Sequence, residues 1–265
     1  MAASVPAPSG ESDRRRVSPK PKAALRLAKE IVATIYENRM RPGDRYLAES
    51  DALERLGVSR GSYREALRFL EIQGVVSVRA GPGGGPEIRR PGWPQLASTI
   101  ALLLQFAEAP LRVVLDARIA LEPGIARMAA ERATDADIGD LARDLAEIEA
   151  EIGNYRKFQA AYLSFWDHFA AATHNPFLAL LSPALRAIVN SAGAVPNETY
   201  RVTLVERLRA IHCALADHDE GRAAAALSAL ELEFLDRLTS GYPRRFDRIV
   251  AWADLDVDVA DAEAG

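Results

Sequence analysis

The chain has 265 residues, 49% of them apolar and 26% charged, with Cys213 as its single cysteine. That is enough chain for two domains with buried cores, and an internal disulfide is excluded. The longest apolar stretch, near Leu96–Phe106, is broken by Ser98, Thr99 and Gln105 and falls well short of the ~20 residues that span a bilayer. The start of the chain lacks the basic segment, apolar run and small-residue cleavage site of a secretory signal, so a soluble cytoplasmic protein that makes no use of membranes is expected. The net charge of −4 is segregated: Arg14 to Arg90 carries 17 Lys/Arg against 9 Asp/Glu, whereas Pro91 to Gly265 carries 16 against 26. A basic module joined to an acidic one suits a protein that meets phosphates at one end only, though two surfaces also differ in charge by chance.

Residues 1–20 are rich in Ala, Pro, Ser and Arg without periodicity and read as a tail, in which Arg14, Arg15 and Arg16 either touch DNA backbone or are simply solvated. From Ala23 to Asn38, Leu27, Ile31 and Ile35, with Ala28, Val32 and Tyr36 one step on, repeat at helical spacing. Arg41-Pro42-Gly43-Asp44 stops that helix, because proline has no amide hydrogen and glycine allows the turn. A short helix from Glu49 to Leu56 ends at Gly57, and Ser59 caps a second one that runs to Gln73 with Tyr63, Ala66, Leu67 and Leu70 on its buried side. Val75–Arg79 and Pro86–Arg90 flank Gly81-Pro82-Gly83-Gly84-Gly85, the pattern of a β-hairpin with a flexible, basic-rimmed tip. Three helices and such a hairpin make a winged helix-turn-helix over 21–91.

Pro91-Gly92-Trp93-Pro94 reads as a linker, and everything from 95 to 248 is helical in pattern, the signature of an all-α antiparallel bundle. Helices are expected at Leu96–Glu108, Leu111–Ala133, Asp135–Gly153, Tyr155–Thr173, Pro176–Ser191, Glu198–His218 and Glu220–Ser240, with a short piece near Arg244–Trp252. Thr134 with Asp137 forms a capping box, and Asn154 and Asp219 cap the helices that follow them. Residues 253–265 read as an acidic, disordered tail. The whole is mainly α.

On the second helix of the basic module, Arg60, Arg64 and Arg68 fall within an arc of about 80°, beside the apolar face. One face packs and its neighbour is cationic, which lets guanidinium forks reach guanine O6 and N7 in a major groove. Ser59 and Ser62 stand at the helix N-terminus, where hydroxyls and the helix dipole favour phosphate. An arginine stripe alone is equally an ordinary solvated face; the order of elements is what gives it meaning. The glycine loop lacks the Gly-Lys-Ser/Thr ending of a nucleotide-binding loop and opens no helix.

Pro42-Gly43-Asp44, Glu49, Leu56-Gly57-Val58-Ser59-Arg60, Arg64-Glu65-Ala66-Leu67, Leu70, Gly74-Val75-Val76 and the 81–85 glycine run together resemble the N-terminal domain of the GntR family of transcriptional regulators, over about 70 residues. The resemblance implies DNA contacts from Ser59, Arg60, Ser62 and Arg64, with Arg79 and Gly84 at a wing entering the minor groove. Where members often carry arginine after the glutamate, this chain has Ser50, so its operator preference should differ. Leu115–Pro123, Ala126–Ala130, Phe165–Asn175 and Asp219–Ala224 extend the resemblance to the FadR-type helical domain of that family, covering most of residues 20–240.

Many members hold a divalent metal in that domain with one Asp and three His. Aligned on Asn175 and Asp219, those positions here are Tyr162, Trp166, Leu208 and Leu230. Phenol, indole and two isobutyl groups do not make a metal site, so no metal and no cofactor is expected. Tyr162 and Trp166 share a helix face, as do Leu208 and His212; with Leu230 they should form an apolar wall, and Arg118 would anchor the anionic group of an effector with an apolar body. The same residues equally describe a filled core without ligand. His168 lies away from this wall, and His174 and His218 fall near helix ends; a displaced metal site among them would need an unusual arrangement. No nucleophile–base set is legible, and Asp135 with Asp137 reads as helix-start charge. The expectation is therefore a non-enzymatic, homodimeric DNA-binding regulator that reads an inverted repeat in double-stranded DNA, with effector-modulated affinity; a ligand-independent repressor and, remotely, a helical enzyme with an accessory DNA-binding domain are the alternatives.

Overall fold

The computed structural model describes residues 21–79, 81, 84–191, 193 and 195–255, in two compact units that divide between Pro91 and Gly92. Arg14, Arg15 and Arg16, and all of the acidic tail beyond Leu255, lie outside the described residues.

In the first unit, helices α1 (Pro21–Glu37), α2 (Glu49–Leu56) and α3 (Arg60–Ile72) precede strands β1 (Val76–Arg79) and β2 (Gly85–Ile88). The apolar stripe of α1 buries Leu27, Ala28 and Ile31 against Tyr63, Ala66, Leu67 and Leu70 of α3, with Tyr46, Ala52, Val76 and Ile88 closing the core. Gly57 ends α2 at φ 61°, a left-handed conformation that costs glycine little and lets the chain turn between the two helices. The two strands pair antiparallel with Val76 opposite Ile88 and Arg79 opposite Gly85. Sequence patterning shows a hairpin only, whereas the segment that stops α1 also adds to the sheet: Gly43 N–H donates to Ile88 O at 2.9 Å, and Tyr46 N–H to Pro86 O at 2.9 Å. That segment is too short to show alternation, so its pairing was not readable from the residues.

The second unit contains α4 (Trp93–Phe106), α5 (Arg112–Arg132), α6 (Asp135–Ala150), α7 (Tyr155–Ala171), α8 (Leu178–Asn190), α9 (Glu198–Ala216), α10 (Glu220–Gly241) and α11 (Pro243–Phe246), then a 3₁₀ turn at Trp252–Asp254. Helix α5 packs along α10, α6 along α7, and α4 along α8. Alanines at 126, 129, 130 and 133 allow close approach to a core built on Phe158, Phe165, Trp166, Phe169, Leu208 and Leu227. The expected caps are present: Thr134 N–H donates to Asp137 Oδ2 at 2.8 Å, and Arg222 N–H to Asp219 Oδ1 at 2.9 Å.

Two boundaries differ from the reading of the sequence. Trp93 and Pro94 belong to α4, because a proline in the first turn forfeits no intrahelical bond, and the Gln95 side chain turns back to accept from Gly92 N–H at 2.9 Å. The chain is docked up to the first residues of the acidic tail: just before it, Trp252 donates its backbone N–H to Gln105 Oε1 and its indole Nε1–H to Ser98 Oγ of α4, both at 2.8 Å, and within it Asp254 pairs with Arg248 at 2.8 Å. Composition alone does not register a tryptophan anchored this way.

Candidate nucleic-acid interface and candidate ligand cavity

Ser59 lies in the extended region at φ −74°, ψ 151°, and its Oγ accepts from Ser62 N–H at 3.1 Å, which fixes where α3 begins. Buried Tyr63, whose hydroxyl donates to Leu47 O, seats the helix against the unit's core. The adjoining face carries Arg60 and Arg64, with side chains 68% and 66% exposed. Both converge on Glu49 at the start of α2: Arg60 Nε is 2.7 Å from Oε1, and Arg64 Nε and Nη2 are 2.6 and 3.3 Å from Oε2 and Oε1. Hydrogen bonding from Arg64, with the charges of both arginines beside it, holds the Glu49 carboxyl below its ordinary range. Glu49 was legible as part of a family pattern, but its role as the counter-ion of two arginines depends on how α2 and α3 cross.

At the wing, Arg79 pairs with Glu87 across the hairpin at 3.1 Å, and Arg89 approaches the same carboxylate at 3.4 Å. Gly84 N–H donates to Gly81 O at 2.9 Å. A Cβ at position 84 would lie 2.3 Å from Arg79 O and 2.9 Å from Gly81 O, so the turn itself requires glycine there. The structure thus gathers Ser59, Arg60, Ser62 and Arg64 at one end of α3, and Arg79 and Gly84 at the hairpin tip.

In the helical unit a cavity of about 80 Å³ lies among α5, α7, α8, α9 and α10. Of the six residues expected to share a wall, Arg118, Tyr162 and Leu230 line it. Leu208 is fully buried in the core, and His212 Nε2 lies 3.2 Å from Ile138 O, toward α6. Trp166 sits behind the cavity, its ring 3.6 Å from the Arg186 guanidinium carbon. Helix phase placed these residues on the right helices; which neighbour each one faces was settled by packing.

Arg118 is not a free anchor. It is 3% exposed and donates to Glu231 Oε1 at 2.6 Å, with Glu122 Oε1 at 3.7 Å. Arg186 donates to Glu122 Oε2 at 3.1 Å, and Ser182 Oγ–H to Glu122 Oε1 at 3.0 Å. Burial alone would push the Arg186 guanidinium down; Glu122 and Glu231, with Tyr162, more than reverse this and its pKa is raised. Burial also pushes the Tyr200 hydroxyl up, aided by Tyr162 and Glu233 and opposed by Arg237, so it stays a neutral phenol. Arg118 Nε, Arg186 Nε, Tyr200 Oη and Glu231 Oε2 are buried without a hydrogen-bond partner. Arg186, Glu231 and Tyr200 were missed in the sequence. A lone charged residue in the otherwise uncharged Leu178–Val189 run was the available signal.

The four positions implied for a metal do not fit one. Tyr162 and Trp166 pack edge-on at 5.9 Å, the two leucines are apolar, and the Arg186 cation lies alongside. Among the described residues no group of three or more His, Cys, Asp or Glu side chains is placed to hold a metal. Each histidine has a protein partner: His168 Nδ1 lies 2.6 Å from Asp144, His174 Nε2 2.9 Å from Asp137, and His218 Nδ1 2.7 Å from Ala130 O.

A winged helix-turn-helix presenting two arginines, followed by a separate helical unit with an internal cavity, is the build of a DNA-binding transcriptional regulator, a class defined by binding rather than catalysis. Residues 23–84 match the family described as bacterial regulatory proteins, gntR family, and residues 113–232 match the FCD domain. An uncharacterised HTH-type transcriptional regulator of Mycobacterium tuberculosis is 31% identical over 220 residues, covering 82% of this chain and 87% of that protein. The regulator LutR of Bacillus subtilis is 28% identical (78% and 97% covered), and the galactonate operon transcriptional repressor of Escherichia coli 28% (78% and 91%). The fold is similar to that of Streptococcus agalactiae GntR, with a TM-score of 0.61 at 21% identity over 80% of this chain and 98% of that one. This chain belongs to the GntR family, with an FCD-type C-terminal domain, and is a DNA-binding transcriptional regulator. No helix among the described residues is long and apolar enough to cross a membrane.

Proposed function

We propose that two copies of this chain bind an inverted-repeat operator as a cytoplasmic homodimer, each placing Ser59, Arg60, Ser62 and Arg64 in a major groove and the wing, through Arg79 and Gly84, in the adjacent minor groove. The observation that carries this reading is the pair of exposed guanidinium groups on the first turns of α3, ordered by Glu49 before DNA arrives. Dimerisation is supported by α4, which leaves Leu103 and Phe106 65% and 84% exposed on one chain. Repression is supported by the relative named as an operon repressor. A small molecule in the helical cavity would shift operator affinity by binding one arrangement of the dimer better than another.

Arg60→Ala tests the DNA half. In a gel shift with the protein's own upstream region, sequence-specific retention should be lost while the dimer survives on gel filtration; undiminished affinity would remove α3 as the reading element. A second reading, a regulator with no small ligand, is favoured by one observation: Arg118 is already neutralised by Glu231. A thermal-shift screen separates the two, because only an effector raises the melting temperature.

A further inference from the structure

A guanidinium leaves water only where opposite charge and polar or ring partners receive it. Arg186 of α8, 3% exposed, is received by three other helices. Its guanidinium carbon lies 3.6 Å from the centre of the Trp166 ring, and Tyr162, one turn earlier on α7, also interacts with the group. Its Nη2 is 3.1 Å from Glu122 Oε2 of α5 and 3.7 Å from Glu231 Oε1 of α10. Ser182, one turn before Arg186, donates to the other Glu122 oxygen at 3.0 Å and fixes that carboxylate. One cation therefore joins α5, α7, α8 and α10.

Tyr162 and Trp166 stand at two of the four positions where the family resemblance implies metal ligands. Phenol and indole are outside the usual donor set of imidazole, carboxylate and thiolate, and Leu208 and Leu230 at the other two positions offer no donor. Indole is instead the ring that best receives a cation on its face. The positive charge comes from a different helix, on a side chain that does not deprotonate in proteins. Formally the cluster is already balanced: Arg118 and Arg186 face Glu122 and Glu231. A divalent ion added here would bring two uncompensated positive charges into a buried site, against a guanidinium.

We propose that the Arg186 guanidinium takes the place of the metal ion in this regulator: it is the resident cation that ties α5, α7, α8 and α10 together, and its charge keeps divalent ions out of the helical unit. This holds whether or not a small molecule enters the cavity.

The test compares the unaltered full-length protein with two variants. Purified without chelator, the unaltered protein should carry well under one equivalent of transition metal by elemental analysis, and neither EDTA nor Mn²⁺ should move its melting temperature. Arg186→Ala removes the cation and leaves Glu122 and Glu231 facing an enlarged cavity. Its melting temperature should fall by about 5–20 °C. Mn²⁺, which accepts carboxylate and water oxygens, should then restore most of that loss saturably and give a bound-ion signal in electron paramagnetic resonance. Arg186→Lys keeps the charge and gives up the planar stack on Trp166, so it should lose less stability and take up no Mn²⁺. An arginine that served packing alone would lower the melting temperature without opening a site for the ion. Four results would overturn the proposal: dialysis-resistant metal at one equivalent in the unaltered protein, a fall in its melting temperature with EDTA, equal Mn²⁺ uptake by the lysine and alanine variants, or an alanine variant that Mn²⁺ does not stabilise.

Discussion

Glu49 joins two guanidinium groups that electrostatics alone would drive apart, so its carboxylate decides how Arg60 and Arg64 are presented. Both arginines are largely exposed, and such pairs contribute little to stability; in the proposed DNA contact their value would lie in ordering side chains that otherwise lose freedom on binding. Because the Glu49 carboxyl is lowered from its ordinary 4.5, the pairing is complete above that value and is lost as pH falls through the lowered one. Arg60→Ala should reduce discrimination between operator and random DNA by about 1–3 kcal/mol, roughly 5- to 150-fold in a competition gel shift. Glu49→Gln should leave the melting temperature nearly unchanged but narrow the operator-to-random ratio, measured the same way; an unaltered ratio would mean that the arginines need no ordering. At the wing, Gly84→Ala forces a methyl group against Arg79 O, so operator affinity should drop severalfold in the gel shift with the helical core undisturbed.

Three helices share one buried ionic cluster. Arg118 and Glu122 come from α5, Arg186 from α8 and Glu231 from α10, all nearly inaccessible to solvent. Breaking such a set leaves an uncompensated charge: Glu122→Leu should cost about 3–5 kcal/mol in urea unfolding. Replacing Arg118 by Met and Glu231 by Leu together removes a pair and should cost much less, and a double-mutant cycle reads the difference as coupling. At this scale the sequence is informative about helices and weak about partners. The period of the apolar residues and the caps at Thr134 and Asp219 are local properties, and the helices start where those residues stand. Arg118 was legible as an inward-facing arginine, but not as one already paired, because Glu231 lies 113 positions away. His212 shares a helix face with Leu208, yet the approach of α6 turns it to a backbone carbonyl.

In the whole molecule each unit encloses its own core, Tyr63 and Ile31 in one and Trp166 and Phe165 in the other. Residues 21–91 produced alone should therefore unfold cooperatively. On the proposed dimer, that fragment should also bind the operator about 10²–10⁴-fold more weakly than the full chain, because it lacks the linkage that would make a second half-site contact intramolecular. Equal affinity of fragment and full chain would remove the dimer from the account. Binding of the full chain should fall steeply with salt, since arginine–phosphate contacts release counterions, even though the chain as a whole carries a net charge of −4.

Taken alone, the sequence determined the division into a basic and an acidic module, the helix-turn-helix with its glycine-dependent turns, the helical second unit and the loss of the metal-ligand pattern. These follow from composition, periodicity and capping, which act over a few residues. Tertiary structure alone decided that one glutamate gathers two arginines of α3, that Arg118 is neutralised, that Arg186 lies over Trp166, and that four polar atoms around one cavity are left without partners. Each of these depends on distances between residues far apart in the chain, set when helices pack, and side-chain charges and hydrogen bonds act over only a few ångströms.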